Sequence, residues 1–278
     1  MDDSARSDDR LLRTVRGRQL AALAGLVVLT LASASFVRLP GRTLVLRLLG
    51  SDLSYEFTGA AQYVVLLSGI VCAGVAAILH AGRTRGTLGL AQVATFWGLP
   101  LQLALAGLLL LDTLSWWGFQ IAVAVLVGVL LVVIVPLQLR SYERSSGSAR
   151  LALNVLTYAL ALIIFAAVYS VRLRSALSAT ALLASGALLS AELFRDTETP
   201  ALFVWLWSGL VGLLLSEMTW VLNYTRLSTR AGTVLLLTVF YALTGIIQQH
   251  LWGRLTRRTV IEFLIAVLGG IVIVILLA

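Results

Sequence analysis

The stretch WGFQIAVAVLVGVLLVVIVPL at residues 117–137 decides the fold, because it carries no charged side chain along its whole length. A helix needs about 20 apolar residues to cross the hydrocarbon core of a bilayer. The same criterion predicts about nine spans, at 20–37, 59–79, 89–111, 117–137, 151–171, 175–193, 201–222, 231–249 and 260–278. Since backbone polar groups in lipid must be hydrogen-bonded within their own segment, the sequence predicts an all-α, polytopic transmembrane helix bundle.

The composition of the 278-residue chain agrees with this fold class and excludes several functions. Hydrophobic residues make up 59% and charged residues 12%, whereas a soluble domain is about half apolar and about a quarter charged. All 21 basic residues are arginines. This excludes a Schiff base to retinal or pyridoxal and a P-loop, which need lysine. The net charge of +8 therefore indicates arginines that contact lipid headgroups, and no nucleic acid.

The predicted organisation is a tail followed by one membrane domain. Residues 1–19 are predicted to form a cytoplasmic tail, disordered at first and then a juxtamembrane helix, and residues 20–278 a single transmembrane domain. Part of the predicted outer loop at 38–57 has a side-chain pattern with a period of two residues. This pattern suits an extended structure, and in so short a segment an interfacial helix is an equal alternative. The first span resembles a signal peptide cleaved near Ala34, but its apolar run continues to Val37. We therefore expect a first helix that is retained.

The distribution of arginines predicts the orientation. With the N-terminus inside and alternating spans, the inner side holds about twice as many arginines as the outer side, as the positive-inside rule expects. This assignment requires that residues 172–174 form a true outer turn.

The third and seventh spans share a pattern. The third contains Phe96 near its start and Asp112 at its end, and the seventh contains Trp205 and Glu217 in similar places. Four spans separate these segments, which predicts a parallel repeat of four plus four helices followed by a ninth. The alternative is that two leucine-rich spans with aromatic belts look alike.

Glu217 is the strongest candidate for function, because ionisable residues inside spans are rare and costly. Trp220 and Tyr224 follow at i+3 and i+7, on the same helix face. This group is suited to a polar or anionic headgroup, and the alternative is an ion pair of Glu217 with an arginine inside an aromatic belt. The candidate ligand-binding residues are Glu217, Trp220, Asn223, Tyr224, Arg226 and Arg230, with Asp112 and Trp116 at the corresponding end of the third span.

The third span also carries a polar stripe. Gln92, Thr95 and Gln102 lie on one helix face, and Pro100 removes a backbone hydrogen bond, which predicts a kink. A kinked helix with polar side chains is typical of a transport path. It is equally typical of interhelical hydrogen bonding.

Two further patterns concern helix ends and helix packing. A charged segment before Pro200 is predicted to be a solvated inner turn and consists of Glu192, Arg195, Asp196 and Glu198. Small residues at every fourth position predict a close helix–helix contact at Ser208, Gly212 and Ser216.

The sequence contains no motif that predicts catalysis. It has no GxSxG, no HExxH and no glycine-rich phosphate loop. Its single cysteine, Cys72, lies in an apolar run, where a packing role is the usual one. We therefore predict no metal site and no cofactor, and we expect a protein that is not an enzyme.

The last quarter of the chain resembles a block found in an uncharacterised family of bacterial multi-span membrane proteins. The residues that carry the resemblance are Glu217, Trp220, Asn223, Tyr224, Phe240, Tyr241, Gly245, Gln249, His250, 253–257 and Glu262. The resemblance implies a bacterial membrane protein with a constrained C-terminal helix pair, and it implies no activity.

Three functional hypotheses follow from these observations. The first is a non-enzymatic inner-membrane protein that packs with membrane lipids or with other integral membrane proteins. The second is a transporter or lipid-handling protein that uses a polar outer pocket around Glu217. The third is an intramembrane transferase that acts on a lipid-linked anion, with Glu217 as base.

Overall fold

The computed structural model describes residues 2–48, 51–81, 89–144, 147–171, 175–195, 197, 199–225 and 227–277. Two strands, β1 (Arg42–Leu48) and β2 (Ser51–Phe57), accompany the helices of this part of the chain. The helices are α1 (Asp2–Phe36), α2 (Gly59–Ala81), α3 (Leu90–Ala94), α4 (Gly98–Leu111), α5 (Trp117–Arg144), α6 (Gly147–Val171), α7 (Ser175–Phe194), α8 (Ala201–Tyr224), α9 (Thr229–Leu251) and α10 (Arg257–Leu277).

The prediction of a polytopic helical membrane protein is confirmed. Eight helices within the described residues are long and apolar enough to cross a bilayer, and they correspond to eight of the predicted spans. α1 begins at Asp2 and therefore also includes residues 2–19, for which a tail was predicted. The bundle of helices, with one short hairpin between α1 and α2, agrees with the predicted fold class.

The third predicted span, 89–111, is interrupted rather than kinked. The amides of Phe96 and Trp97 bond the carbonyls three residues before them, at 3.0 and 3.1 Å, so a tight turn separates α3 from α4. Pro100 lies in the first turn of α4, where a missing amide hydrogen costs little. A Cβ atom at Gly98 would collide with the carbonyl of Leu188 in α7, so the break permits a close approach of the two backbones.

The two segments of the predicted repeat differ in their backbones. α8 is continuous over Ala201–Tyr224, whereas 89–111 is divided into α3 and α4. The parallel repeat therefore stays a prediction.

The chain forms two compact units, which we describe separately. Unit 1 consists of Met1–Leu88 and Leu103–Val135, and unit 2 of Gly89–Gln102 and Pro136–Ala278. In unit 1 the side chains of Leu31, Leu67 and Leu131 are buried. Gly74 of α2 and Gly128 of α5 both lie against side chains of α1. The leucines are buried because each helix packs an apolar face against its neighbours.

The loop predicted at 38–57 contains an antiparallel hairpin in unit 1. β1 pairs with β2 so that Leu46 lies opposite Leu53 and Arg42 opposite Phe57. The period-two alternation in this segment thus indicated the extended structure, and the alternative of an interfacial helix is wrong.

Unit 2 contains a core of aromatic and aliphatic side chains. Phe165 of α6 and Phe240 of α9 are fully buried and meet edge to face, with ring centroids 5.6 Å apart. α7 and α8 approach closely because Gly212 lies against the carbonyl of Leu183 and the backbone of Ala187. This contact confirms the predicted packing role of the small-residue pattern in α8.

The turn between α9 and α10 explains part of the C-terminal motif. Gly253 has a φ angle of 64°, the left-handed region that glycine adopts without strain. The amides of Gly253 and Arg254 bond the carbonyls of His250 and Gln249, at 2.9 and 3.0 Å, which closes the end of α9.

Candidate functional site

The predicted Glu217 cluster forms an exposed surface on α8. Glu217 is exposed, and Trp220 and Tyr224 expose 43% and 82% of their surface. Arg230 is exposed in the first turn of α9 and forms no ion pair with Glu217. Arg226 and the side chain of Asn223 lie outside the described residues. The cluster is therefore an exposed surface of α8, and Glu217 has no hydrogen-bonding partner among the described side chains.

A cavity of about 530 Å³ lies at one end of unit 1. It is formed where α1 and α4 end and where α2 and α5 begin. Its volume is within the range of sites that hold small ligands or headgroups. The polar side chains in its wall are Ser35, Arg38, Tyr63, Asp112, Ser115 and Gln120. Glu217 is not part of this wall, so the polar pocket in unit 1 involves Asp112 rather than the cluster on α8.

Hydrogen bonds to α2 hold the segment that carries Arg38. The hydroxyl of Tyr63 donates to the carbonyl of Val37 at 3.0 Å, and Nε2 of Gln62 donates to the carbonyl of Pro40 at 2.9 Å. A Cβ atom at Gly59 would lie 2.5 Å from a carbonyl oxygen of this segment, so glycine allows α2 to begin directly beside it. The backbone around Arg38 is thus fixed on both sides.

Gln120 holds the segment that carries Asp112. Its Nε2 donates to the carbonyl of Leu114 at 2.7 Å and, at 3.4 Å, to that of Leu111 at the end of α4. These bonds satisfy carbonyls that a helix end leaves free. Asp112 therefore occupies a defined position between α4 and α5, in the wall of the cavity.

Both charged groups of the cavity are exposed and unpaired. Arg38 and Asp112 form no ion pair with each other and no hydrogen bond with another described side chain. Beside Asp112, the exposed rings of Trp116 and Phe119 meet edge to face at 4.9 Å. Exposed aromatic side chains of this kind mark the headgroup level of a bilayer. The cavity wall thus carries two opposite charges close in sequence to exposed aromatic side chains.

Two of the three residues of the predicted polar stripe in 89–111, Gln92 and Thr95, form internal hydrogen bonds. Nε2 of Gln92 donates to the hydroxyl of Tyr142 in α5 at 2.8 Å, and the hydroxyl of Thr95 donates to the carbonyl of Gln92 at 2.8 Å. Thr95 and Gln102 are buried, each with 2% of its surface exposed. Gln92 thus joins α3 to α5, and Thr95 stabilises the turn that ends α3.

The prediction of a solvated turn before Pro200 is wrong for Glu192 and Arg195, which are buried. α7 continues to Phe194, so these two residues are neighbours at i and i+3. Arg195 donates to Oε2 of Glu192 at 2.6 Å, and the two side chains are only 3% and 2% exposed. Asp196 and Glu198 lie outside the described residues.

Partners from distant segments make this burial possible. Nε2 of Gln138 in α5 donates to the same carboxylate oxygen of Glu192 at 2.6 Å. The guanidinium of Arg195 lies 4.5 Å from the ring centroid of Phe96, a favourable cation–π contact. Oε1 of Gln138 and Nε of Arg195 are buried without a hydrogen-bonding partner in the described part of the chain. We call Gln138, Glu192, Arg195 and Phe96 the buried polar cluster.

The described residues contain no group of three histidine, cysteine, aspartate or glutamate side chains that is arranged to hold a metal ion. His80 contacts the carbonyl of Ala76 in its own helix at 2.7 Å. His250 packs edge to face on Trp207 at 5.7 Å. Each histidine thus has a local structural contact.

Comparison with known proteins gives one family. A family model described as "Protein of unknown function (DUF5656)" matches residues 39–278. No curated protein and no solved structure gives a significant match. The match extends well beyond the last quarter of the chain, where the sequence resemblance was found.

Proposed function

The chain belongs to the DUF5656 family of proteins of unknown function, and we propose that it is a non-enzymatic membrane protein that binds a phospholipid by its headgroup. The proposed site is the cavity at the end of unit 1. We further propose that the protein lies in the bacterial inner membrane with its N-terminus inside. The cavity then opens to the outer surface.

The single observation that supports this function is the placement of the cavity and its charges. Arg38 is an exposed guanidinium without a partner among the described residues, in the wall of a cavity formed by four helix ends. Guanidinium groups bind phosphate through paired, charge-assisted hydrogen bonds. Trp116 and Trp117 are more than half exposed beside this wall, which suits the level at which the phosphates of a bilayer lie.

The proposed orientation depends on the arginines rather than on the geometry of the helices. The first half of α1 and the adjoining ends of α5 and α6 are rich in arginine and would lie inside. The ends of helices that surround the cavity would then lie outside. The exposed Glu217 surface of α8 would also lie near the outer headgroups, where an acidic side chain costs less than at the bilayer centre.

Native mass spectrometry of the purified full-length protein tests the proposal. The protein is equilibrated in detergent with a phospholipid mixture, and the lipid that it retains after release from the micelle is counted. We expect the wild type to retain one phospholipid per protein molecule. In Arg38→Gln we expect most of the protein molecules to retain none. Arg254→Gln is the matched control, because Arg254 is exposed at the end of α9 and is no part of the cavity. Equal retention by both variants would contradict the proposed site.

A further inference from the structure

We infer that the cavity of unit 1 selects a zwitterionic headgroup, in which a phosphate and a primary amine are joined by a short linker, as in phosphoethanolamine. This inference rests on the proposed function and adds the chemical class of the ligand. The phosphate contacts Arg38 and the ammonium group contacts Asp112.

The position of Asp112 argues for a cationic group in the ligand. Asp112 follows Leu111, the last residue of α4, and the C-terminal end of a helix carries a partial negative charge. A carboxylate is unfavourable there unless a cation lies beside it. No described side chain provides that cation, because Asp112 has no ion pair.

The position of Arg38 argues for an anionic group in the same ligand. Arg38 lines the same cavity of about 530 Å³ as Asp112, yet the two side chains do not pair. A purely anionic headgroup would bind Arg38 and be repelled by Asp112, and a purely cationic one would meet the opposite problem. A ligand with both charges satisfies both groups, and its net charge of about zero avoids either repulsion.

Hydrogen bonds fix the two backbone segments that carry Arg38 and Asp112. The hydrogen bonds from Tyr63 and Gln62 fix the backbone near Arg38, and those from Gln120 fix the segment that holds Asp112. The wall also offers the hydroxyl of Ser115 and the free oxygen of Gln120. Such groups suit the hydrogen-bond donors of a primary ammonium group, whereas a quaternary ammonium group has no hydrogen to donate.

Equilibrium titrations of the full chain in detergent test this selectivity. The probes are short-chain phosphatidylethanolamine, phosphatidylglycerol and phosphatidylcholine, with water-soluble glycerophosphoethanolamine as a fourth. We expect the wild type to bind phosphatidylethanolamine about fivefold more tightly than phosphatidylglycerol, the factor of one partly exposed charge pair. Phosphatidylcholine is expected to bind more weakly than phosphatidylethanolamine. The variant Asp112→Asn should bind phosphatidylethanolamine and phosphatidylglycerol about equally tightly. The control variant Glu262→Gln should keep the preference of the wild type, because Glu262 is an exposed acid of α10 outside the cavity.

The outcomes separate the inference from the proposed function. Equal binding of phosphatidylethanolamine and phosphatidylglycerol by the wild type, with no change in Asp112→Asn, would overturn the zwitterion inference and leave lipid binding at Arg38 in place. Binding of none of the lipids would overturn both. Binding of glycerophosphoethanolamine as tight as that of the lipid would support the ligand class and contradict a lipid as its source.

Discussion

Replacing Glu192 with glutamine is expected to destabilise the protein strongly. The substitution keeps the shape of the side chain and removes its charge, so the guanidinium of Arg195 loses the carboxylate that it contacts at 2.6 Å. Arg195 cannot turn to solvent without leaving its contact with the ring of Phe96. The variant therefore leaves a buried positive charge without its counter-ion.

The magnitude follows from the burial of the pair. With the two side chains only 3% and 2% exposed, removal of one charge is expected to cost about 3 kcal/mol of unfolding free energy, as for other buried pairs. The chain offers a matched control in Arg258 and Glu262, which are 3.3 Å apart on α10 but 89% and 63% exposed. Solvent screening reduces the contribution of such a pair to less than about 0.5 kcal/mol.

Unfolding in mixed micelles provides the assay. The free energy of unfolding of each variant is measured by titration with sodium dodecyl sulfate and followed by tryptophan fluorescence. The double variant Glu192→Gln/Arg195→Met should be more stable than Glu192→Gln alone, because it removes the unpaired charge. A loss of unfolding free energy in Glu192→Gln no larger than that in Glu262→Gln would show that the buried pair does not depend on its charge.

Two further predictions concern packing and orientation. Gly212→Ala should lower the melting temperature in detergent, because the new methyl group meets a carbonyl of α7. Gly209→Ala in the same helix should be neutral or stabilising, because its methyl group meets no atom within 4 Å. Similar melting temperatures for both variants would contradict the contact between α7 and α8. In a Cys72→Ala background, Ser115→Cys should react with an impermeant maleimide in intact cells and Ser148→Cys only after the membrane is opened, and the reverse pattern would contradict the proposed orientation.

The sequence predicted the membrane helices because each apolar run is long enough to decide its own structure. The break in 89–111 could not be predicted in the same way. Its position depends on Gly98, which allows α4 to begin directly against the backbone of Leu188, and that contact joins segments far apart in the chain. Pro100 suggested an irregularity nearby, but its place in the first turn of α4 shows that it follows the break.

The residues of the proposed site and of the buried polar cluster were predicted only in part. Asp112 was a candidate, yet Arg38 was missed, since a cavity formed by four helix ends has no signature in any one of them. The burial of Glu192 was also missed, because charged residues before Pro200 are typical of a solvated turn. Gln138, which bonds Glu192 from 54 positions away, was the available signal, since an amide in an apolar run needs a hydrogen-bonding partner.

The most direct test of the central claim is an experimental structure of the full chain in nanodiscs that contain phosphatidylethanolamine, with a bound antibody fragment to increase the particle size. The expected result is a headgroup in the cavity of unit 1, with its phosphate at the guanidinium of Arg38 and its amine at the carboxylate of Asp112. A cavity that holds only water under these conditions, or that is closed by an ion pair between Arg38 and Asp112, would contradict it.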